Sequence, residues 1–271
     1  MILTKHQYED SERWAMDGFL LSPAFDFKKL CCMHPNEVAI NMTSFLTNDK
    51  AEGKLLAPVE HDQEVWACGV TYLRSRDARE AETDIKNIYD MVYDAKRPEL
   101  FFKAFGWRVK GTHSAIRIRK DSHWNVPEPE LTLLINRFGE ILGYCVGNDV
   151  SSRNIEGENP LYLPQAKVYD GSCALGPGIC MTQTEQMQNL TIQLIIERDG
   201  DIIFNGETNT SQIKRSFEEL TYYLTMEMTF PSGAFLLTGT GIIPDEAFSL
   251  CVGDRVIITI DKLVLENQVE S

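Results

Sequence analysis

The chain is short of positive charge, of paired cysteines and of long apolar runs, and each shortage excludes a class of protein. Its 26 Lys and Arg residues face 40 Asp and Glu residues, and the net charge of −14 argues against nucleic acid or an anionic membrane as a partner. None of the seven cysteines forms a C-x-x-C pair, which predicts reduced thiols of a cytoplasmic protein. No run approaches the roughly 20 apolar residues of a membrane helix, and we expect no signal peptide.

The 271 residues, 43% of them hydrophobic, are enough for one large domain or for one large and one small domain. Many short apolar runs between turn residues predict an α+β fold that is mostly β. Residues 190–196 and 201–206 form a predicted hairpin across Asp199-Gly200. Ser216 and Glu219 have the spacing of a capping box and predict a helix to Met228. Residues 7–15 allow a short helix.

Acidic residues stand at the ends of two apolar runs near the middle of the chain. Glu128 and Glu130 lead into the run 131–135 and point to the same face if it is a strand, because side chains alternate. After a turn, the run 141–146 leads to Asp149. A hairpin between the two runs would therefore bring the three acids together.

Three converging carboxylates repel one another unless a proton or a cation neutralises them. A hard divalent ion with oxygen ligands is suited to this role, and Mg²⁺ fits best because it keeps some coordination positions for water and substrate. Two glutamates separated by one residue are also common on the solvated face of an antiparallel sheet. Spacing alone leaves both interpretations open.

The sequence around these acids resembles the signature of the fumarylacetoacetate hydrolase superfamily. The matching motifs are Asn-Asp-Val-Ser-Ser-Arg at 148–153, Lys-Val-Tyr-Asp at 167–170 and Cys-Ala-Leu-Gly-Pro at 173–177. Three further segments resemble the branch that dehydrates 2-keto-3-deoxy pentonates, the arabinonate and xylonate dehydratases; these are residues 69–72, 92–103 and 156–167. The resemblance extends from about Val65 to Val264.

The resemblance implies a fold, a cofactor and an assembly. It implies a small N-terminal domain over residues 1–57 and a mixed β-roll catalytic domain over 58–271. In the superfamily, the acids matching Glu128, Glu130 and Asp149 bind a divalent ion, which we expect to be Mg²⁺ with Ca²⁺ or Mn²⁺ as substitutes. It also implies a homodimer or homotetramer.

The sequence lacks a histidine that hydrolytic members of the superfamily use. In those members, a mobile segment carries a histidine and a glutamate that activate the attacking water, and here Ser75 stands at the histidine position. Glu80 and Glu82 remain, but a carboxylate without an imidazole partner is a poorer activator of water near neutral pH. The difference favours a reaction that needs no activated water. The charged segment 75–92 is otherwise typical of a solvated surface helix or, from the family, of a lid.

The resemblance assigns roles in catalysis to two residues. Lys167 is the candidate base that removes a proton from carbon 3 of a small anionic 2-oxo acid. Glu99 is the candidate acid for loss of the hydroxyl on carbon 4, which leads to 2,5-dioxopentanoate. Glu99 and Lys103 could instead form a salt bridge at the end of a strand.

Four residues are expected to bind the substrate. Thr240, in a Thr-Gly-Thr turn, matches a threonine that contacts the substrate carboxylate in the family, although a plain turn remains the alternative. Arg153, Asp170 and Lys103 complete the set.

Other functions remain open at this point. An acylpyruvate-type hydrolase or an oxo-acid decarboxylase would use the same metal and would cleave a carbon–carbon bond. A non-catalytic paralogue would bind metal and oxo acids without turnover.

Overall fold

The computed structural model describes residues 1–8, 11–73 and 92–271. Ser75, Glu80, Glu82 and the helix predicted over 75–92 lie outside the described residues, apart from the last position of that helix. Within the described part, strands far outnumber helices, which confirms the prediction of a mostly β fold.

The elements are numbered in chain order. The strands are β1 (Ile2–Tyr8), β2 (Ser11–Met16), β3 (Phe19–Leu21), β4 (Leu46–Lys50), β5 (Lys54–Leu56), β6 (Glu64–Gly69), β7 (Glu99–Phe105), β8 (Ile116–Arg117), β9 (Asn125–Val126), β10 (Pro129–Ile135), β11 (Ile141–Asp149), β12 (Ser151–Ser152), β13 (Cys173–Met181), β14 (Thr191–Arg198), β15 (Asp201–Asn209), β16 (Ala234–Leu237), β17 (Arg255–Ile260) and β18 (Leu263–Glu270). The α-helices are α1 (Phe27–Leu30), α2 (Pro35–Thr43), α3 (Arg153–Glu158), α4 (Leu163–Lys167) and α5 (Phe217–Thr225). Short 3₁₀ turns lie at Gly106–Arg108, Pro160–Tyr162, Thr184–Met187 and Thr210–Gln212.

A large sheet of eleven strands runs through the molecule. Its order is β4-β3-β2-β1-β13-β11-β10-β16-β6-β7, and β5 pairs with β1. The N-terminal strands join this sheet through β1, whose Ile2 lies opposite Cys180 of β13. Residues on both sides of position 57 therefore contribute to one sheet, and the division into two domains there stays a prediction.

The predicted hairpin of acidic residues is confirmed at the centre of this sheet. Strands β10 and β11 pair antiparallel, with Glu130 opposite Gly147 and Pro129 opposite Asn148. Strands β16 and β13 flank the pair and cover both of its edges, and every residue of β10 and β11 is buried. This position explains why the two strands read as nearly continuous apolar runs.

A second sheet and two helices cover the two faces of the central hairpin. The second sheet has the order β15-β14-β17-β18-β8, and its Leu194 and Ile258 share a hydrophobic cluster with Leu131 and Leu133. Helices α1 and α2 pack on the other face, where their side chains share a second cluster with Leu134. The acids at the end of β10 thus project from a rigid, doubly covered strand pair.

The sequence correctly predicted the turn of one hairpin and the start of one helix, but not the end of that helix. The β14–β15 hairpin is confirmed, with Asp199 and Gly200 both at positive φ (54° and 91°), as a type I′ turn requires. Helix α5 begins after Ser216, whose Oγ accepts from the Glu219 amide at 3.1 Å. The Glu219 carboxylate pairs with Arg215, so only half of the capping box forms, and the helix ends at Thr225, short of the predicted end.

The short helix allowed over residues 7–15 was wrong. The chain forms β1 and β2 there, paired from Leu3 opposite Met16 to Tyr8 opposite Ser11. Pairing of β1 with β13 and β5 as well fixes the extended backbone through contacts with distant segments, which a local pattern does not contain. In the part of the chain that the structure describes, no helix is long and apolar enough to cross a membrane.

Candidate active site

Three buried carboxylates form the centre of the candidate site. One oxygen each of Glu128, Glu130 and Asp149 lies within 4.8 Å of the other two, and each residue is at most 4% exposed. The end of the β10–β11 hairpin holds them in place, because the Asp149 amide donates to the Glu128 carbonyl at 3.0 Å. The Glu128 amide in turn donates to Asn148 Oδ1 at 3.2 Å. The three acids therefore converge as the hairpin predicted.

Glu130 is buried beside the other two acids. Burial raises its pKa well above the ordinary value, and the negative charges of Asp149 and Glu128 raise the pKa further. Its Oε2 accepts from the Gly239 amide at 2.6 Å, whereas Oε1 is buried without a hydrogen-bond partner. The amide is available because Gly239 has a φ of 90°, and a Cβ there would lie 2.1 Å from Thr71 Oγ1.

Lys167 reaches the carboxylates from the end of α4. Its Nζ donates to Glu128 Oε2 at 2.8 Å, to Asp149 Oδ2 at 3.0 Å and to Ser151 Oγ at 2.6 Å. The ring of Phe101 lies 5.7 Å from the same nitrogen. The side chain is 2% exposed, so a single buried amine contacts two of the three acids.

Lys103 contacts the other carboxylate oxygen of Asp149. Register in β6–β7 shifts between the pairs Val65–Ala104 and Trp66–Phe102, so Lys103 is the extra residue of a β-bulge. Its fully buried Nζ contacts Asp149 Oδ1 and donates to the carbonyl oxygens of Val150 and Lys167.

Arg153 completes the cationic surroundings. It begins helix α3, is 1% exposed, and places Nη2 3.2 Å from Glu128 Oε1. Three carboxylates are thus surrounded by three basic side chains, those of Lys103, Arg153 and Lys167. This balance lets the cluster stay buried without leaving a full charge uncompensated.

A pocket opens above the carboxylates. Its lining includes Glu99, Glu128, Lys167 and Thr240, and also Glu156 from α3. Glu99 lies against Gly69, where a Cβ would be 1.9 Å from Glu99 Oε2. The strand β7 thus places Glu99 and Phe101 on the pocket side.

Three of the four expected substrate contacts do not line this pocket. The Asp170 side chain is 69% exposed and pairs with Arg108 at 3.1 Å. Lys103 is turned toward the backbone and Asp149, and Arg153 is buried against Glu128. Thr240 does line the pocket, and its Oγ1 also accepts from the Ile242 amide at 3.2 Å. The substrate-binding roles of these residues stay predictions.

The donor set fits a hard divalent cation. Three carboxylates supply only oxygen, the ligand type that Mg²⁺ and Ca²⁺ prefer. The buried Oε1 of Glu130 has no hydrogen-bond partner in the described structure, and a cation would satisfy it. Binding would also remove the repulsion that raises the pKa of Glu130.

The sequence pattern missed three residues that shape the site. Gly239 donates to Glu130, Ser151 contacts Lys167, and Glu156 lines the pocket. The glycine between two threonines in the sequence indicates a turn with an accessible backbone amide, and this signal could have identified Gly239. Glu156 follows Arg153 by three positions, which places both on one face of a helix.

Comparisons with known proteins agree with this geometry. The profile described as "Fumarylacetoacetate (FAA) hydrolase C-terminal" matches residues 65–270. A "Probable 2-keto-3-deoxyxylonate dehydratase" of Haloferax volcanii is 51% identical over 211 residues, which are 76% of this chain and 72% of the relative. A "2-dehydro-3-deoxy-D-arabinonate dehydratase" of Saccharolobus solfataricus is 42% identical over 228 residues, 82% of this chain and 75% of the relative.

A solved structure extends the likeness over the whole chain. It is described as "2-keto-3-deoxy-D-arabinonate dehydratase complexed with magnesium and 2,5-dioxopentanoate". It superposes with a TM-score of 0.84 at 34% identity and covers 100% of this chain and 99% of its own. The expected fold is therefore confirmed, and the likeness also covers the N-terminal residues that lie outside the profile match.

Proposed function

Because the chain belongs to the fumarylacetoacetate hydrolase family, we propose that it is a magnesium-dependent dehydratase that converts a 2-keto-3-deoxy pentonate into 2,5-dioxopentanoate and water. Two relatives above 40% identity carry dehydratase names for such substrates. The observation that carries the proposal is the pocket itself, in which Lys167 lies within 3.0 Å of two converging acids and shares the lining with Glu99.

The carboxylates supply the metal site. Glu128, Glu130 and Asp149 would hold Mg²⁺, and the carboxylate and keto oxygens of a 2-oxo acid suit its remaining positions. When bound, the ion polarises the keto group and makes the protons on carbon 3 more acidic. Ca²⁺ or Mn²⁺ would substitute, since both accept oxygen ligands.

Lys167 is the base of the proposed reaction. Its Nζ contacts Glu128 and Asp149, two of the three acids that would hold the cation, so a 2-oxo acid bound there would lie near this amine. Glu99, in the same pocket, donates a proton to the departing hydroxyl of carbon 4. Thr240, which lines the pocket, is the proposed partner of the substrate carboxylate. Arg153, Lys103 and Asp170 do not line the pocket and are less well placed for it.

The absence of an imidazole separates dehydration from hydrolysis. The described residues that line the pocket include no histidine, and the sequence has none between His61 and His113. Elimination needs only a base and an acid, which Lys167 and Glu99 provide. Hydrolysis of a carbon–carbon bond would need an activated water as well.

Turnover with each stereoisomer tests the proposal. Purified protein with Mg²⁺ should convert 2-keto-3-deoxy-D-xylonate or its arabinonate relative, with the product followed through an NAD-linked semialdehyde dehydrogenase. EDTA should abolish the signal and Mg²⁺ should restore it. Absence of product from both isomers, with cleavage of acylpyruvates, would refute the dehydratase and assign a hydrolase.

Replacement of Lys167 tests the role of the base. Lys167→Met should lower kcat at least about 100-fold, because general base catalysis is lost, while calorimetry still shows Mg²⁺ binding. The matched control is Lys28→Met, which removes an exposed lysine paired with Asp62 and should leave turnover unchanged. Undiminished activity of Lys167→Met would remove Lys167 from the mechanism.

A homodimer or homotetramer is the proposed assembly, by analogy with the family. Sedimentation velocity at several protein concentrations measures it directly. A monomer that retains full turnover would refute this part of the proposal.

A further inference from the structure

One carboxylate of the pocket has no role in the reaction as set out above. Glu156 is 4% exposed and lines the same pocket as Glu99 and Lys167. It lies one helical turn after Arg153 on α3, which packs against α4. The fold therefore holds Glu156 beside the helix that carries the base.

The proposed reaction requires more proton transfers than Lys167 and Glu99 perform during elimination. Loss of water across carbons 3 and 4 gives 5-hydroxy-2-oxopent-3-enoate, which still carries an alcohol at carbon 5. Conversion to the aldehyde requires removal of a proton from carbon 5 and addition of a proton to carbon 4. A carbon acid of this kind needs a positioned base.

We propose that Glu156 is the group that moves a proton from carbon 5 to carbon 4; this inference rests on the proposed dehydratase function. A substrate with its oxo-acid end at the three acids and carbon 3 at Lys167 would turn carbons 4 and 5 toward the other residues that line the pocket. Among the described lining residues, Glu99 and Glu156 are the carboxylates that the proposed cation site does not use. Glu99 exchanges protons with the oxygen atoms of the substrate, and Glu156 exchanges protons with carbons 4 and 5.

The proton transfers balance over one cycle. Lys167 enters the cycle as the neutral amine and takes a proton from carbon 3, the C4–O bond breaks, and Glu99 in its acid form protonates the leaving hydroxide to give water and the enone. Glu156 then removes a proton from carbon 5, the electron pair forms the C4–C5 double bond, and the former C3–C4 pair moves toward the keto oxygen as a dienolate. Lys167 returns its proton to carbon 3.

The last step regenerates both carboxyl groups. Glu156 donates its proton to carbon 4 of the C5 enol, and Glu99 takes the proton of the enol hydroxyl as the aldehyde forms. Each side chain ends in its starting protonation state, and the net change is loss of one water. The cycle therefore needs no co-reactant beyond the residues of the pocket.

A substrate with two deuterium atoms on carbon 5 tests the assignment. Wild-type protein with Mg²⁺ should give a product with one deuterium on the aldehyde carbon and deuterium on carbon 4, measured by NMR. Glu156→Gln should form 2,5-dioxopentanoate at least about 100-fold more slowly and should release the enone, which absorbs in the ultraviolet. Calorimetry should show that the variant binds Mg²⁺ like wild type.

Glu158→Gln is the matched control, since Glu158 is exposed on the same helix. It should keep the wild-type rate and label distribution. Glu156→Asp keeps a carboxylate and should restore part of the deuterium transfer, which covers the case in which the glutamine variant does not fold.

The outcomes separate the two proposals. No 2,5-dioxopentanoate from wild type with either isomer refutes the dehydratase itself. Product from wild type without deuterium on carbon 4, or product from Glu156→Gln at more than a third of the wild-type rate, overturns the role of Glu156 and leaves the dehydratase intact.

Discussion

Replacement of Lys103 by methionine should destabilise the metal-free protein more than the metal-bound protein. The Lys103 ammonium is fully buried and contacts Asp149 Oδ1, while it also donates to the carbonyl oxygens of Val150 and Lys167. Methionine keeps most of the side-chain volume but removes the charge and the donors. The experiment thus isolates the electrostatic part of the contact.

The loss of unfolding free energy depends on which positive charges still lie beside Asp149 in the variant. Removal of one partner from a buried ion pair costs about 3 to 5 kcal/mol of unfolding free energy. A bound cation would neutralise Asp149. The substitution would then mainly leave the carbonyl oxygens of Val150 and Lys167 without this donor, which costs about 1 to 3 kcal/mol of unfolding free energy. Mg²⁺ should therefore stabilise Lys103→Met by about 2 kcal/mol more than it stabilises wild type. Without metal, the midpoint of thermal unfolding should fall by roughly 6 to 20 °C.

Denaturant titration with EDTA and with excess Mg²⁺ measures both differences. Lys28→Met is the matched control, because the Lys28–Asp62 pair is solvent-exposed and its loss should cost less than about 1 kcal/mol. A loss below about 1 kcal/mol for metal-free Lys103→Met would contradict the reasoning.

Kinetics then distinguish positioning from substrate contact. If Lys103 orients Asp149 and the end of α4, the variant should lose kcat while KM changes less than about threefold. A raised KM with unchanged kcat would instead support the sequence-based prediction that Lys103 binds the substrate.

Two further predictions concern Glu130 and Gly69. Burial holds the Glu130 pKa above 4.5 in the metal-free protein, so its contribution to stability is present below pH 4.5 and is lost as pH rises through the raised pKa. At a pH below that raised pKa, Mg²⁺ binding displaces the proton, so the affinity for Mg²⁺ should fall with decreasing pH. Calorimetry in two buffers should then show proton release. Gly69→Ala would place a Cβ 1.9 Å from Glu99 Oε2, so turnover should fall about 100-fold with metal binding retained, and unchanged turnover would contradict this.

Local pattern was sufficient for the parts of the fold that depend on near neighbours. Alternation along β10 and β11 placed the acids at one end of a hairpin, and Asp199-Gly200 specified its own turn type. Ser216 capped α5 through a contact three residues away. Such contacts are encoded by adjacent residues and are visible in a single sequence.

The sequence by itself therefore determined the acid cluster, the strand pair that carries it and, through the family motifs, Lys167 beside it. Tertiary structure alone decided how these groups are held. Lys103 meets the Lys167 carbonyl across 64 residues, and Gly239 meets Glu130 across 109. Residues 7–15, where a helix was allowed, belong to the paired strands β1 and β2, and the start of β1 is joined to β13 from the other half of the chain. Contacts between distant segments follow from packing and pairing of whole elements, which no local window of residues contains.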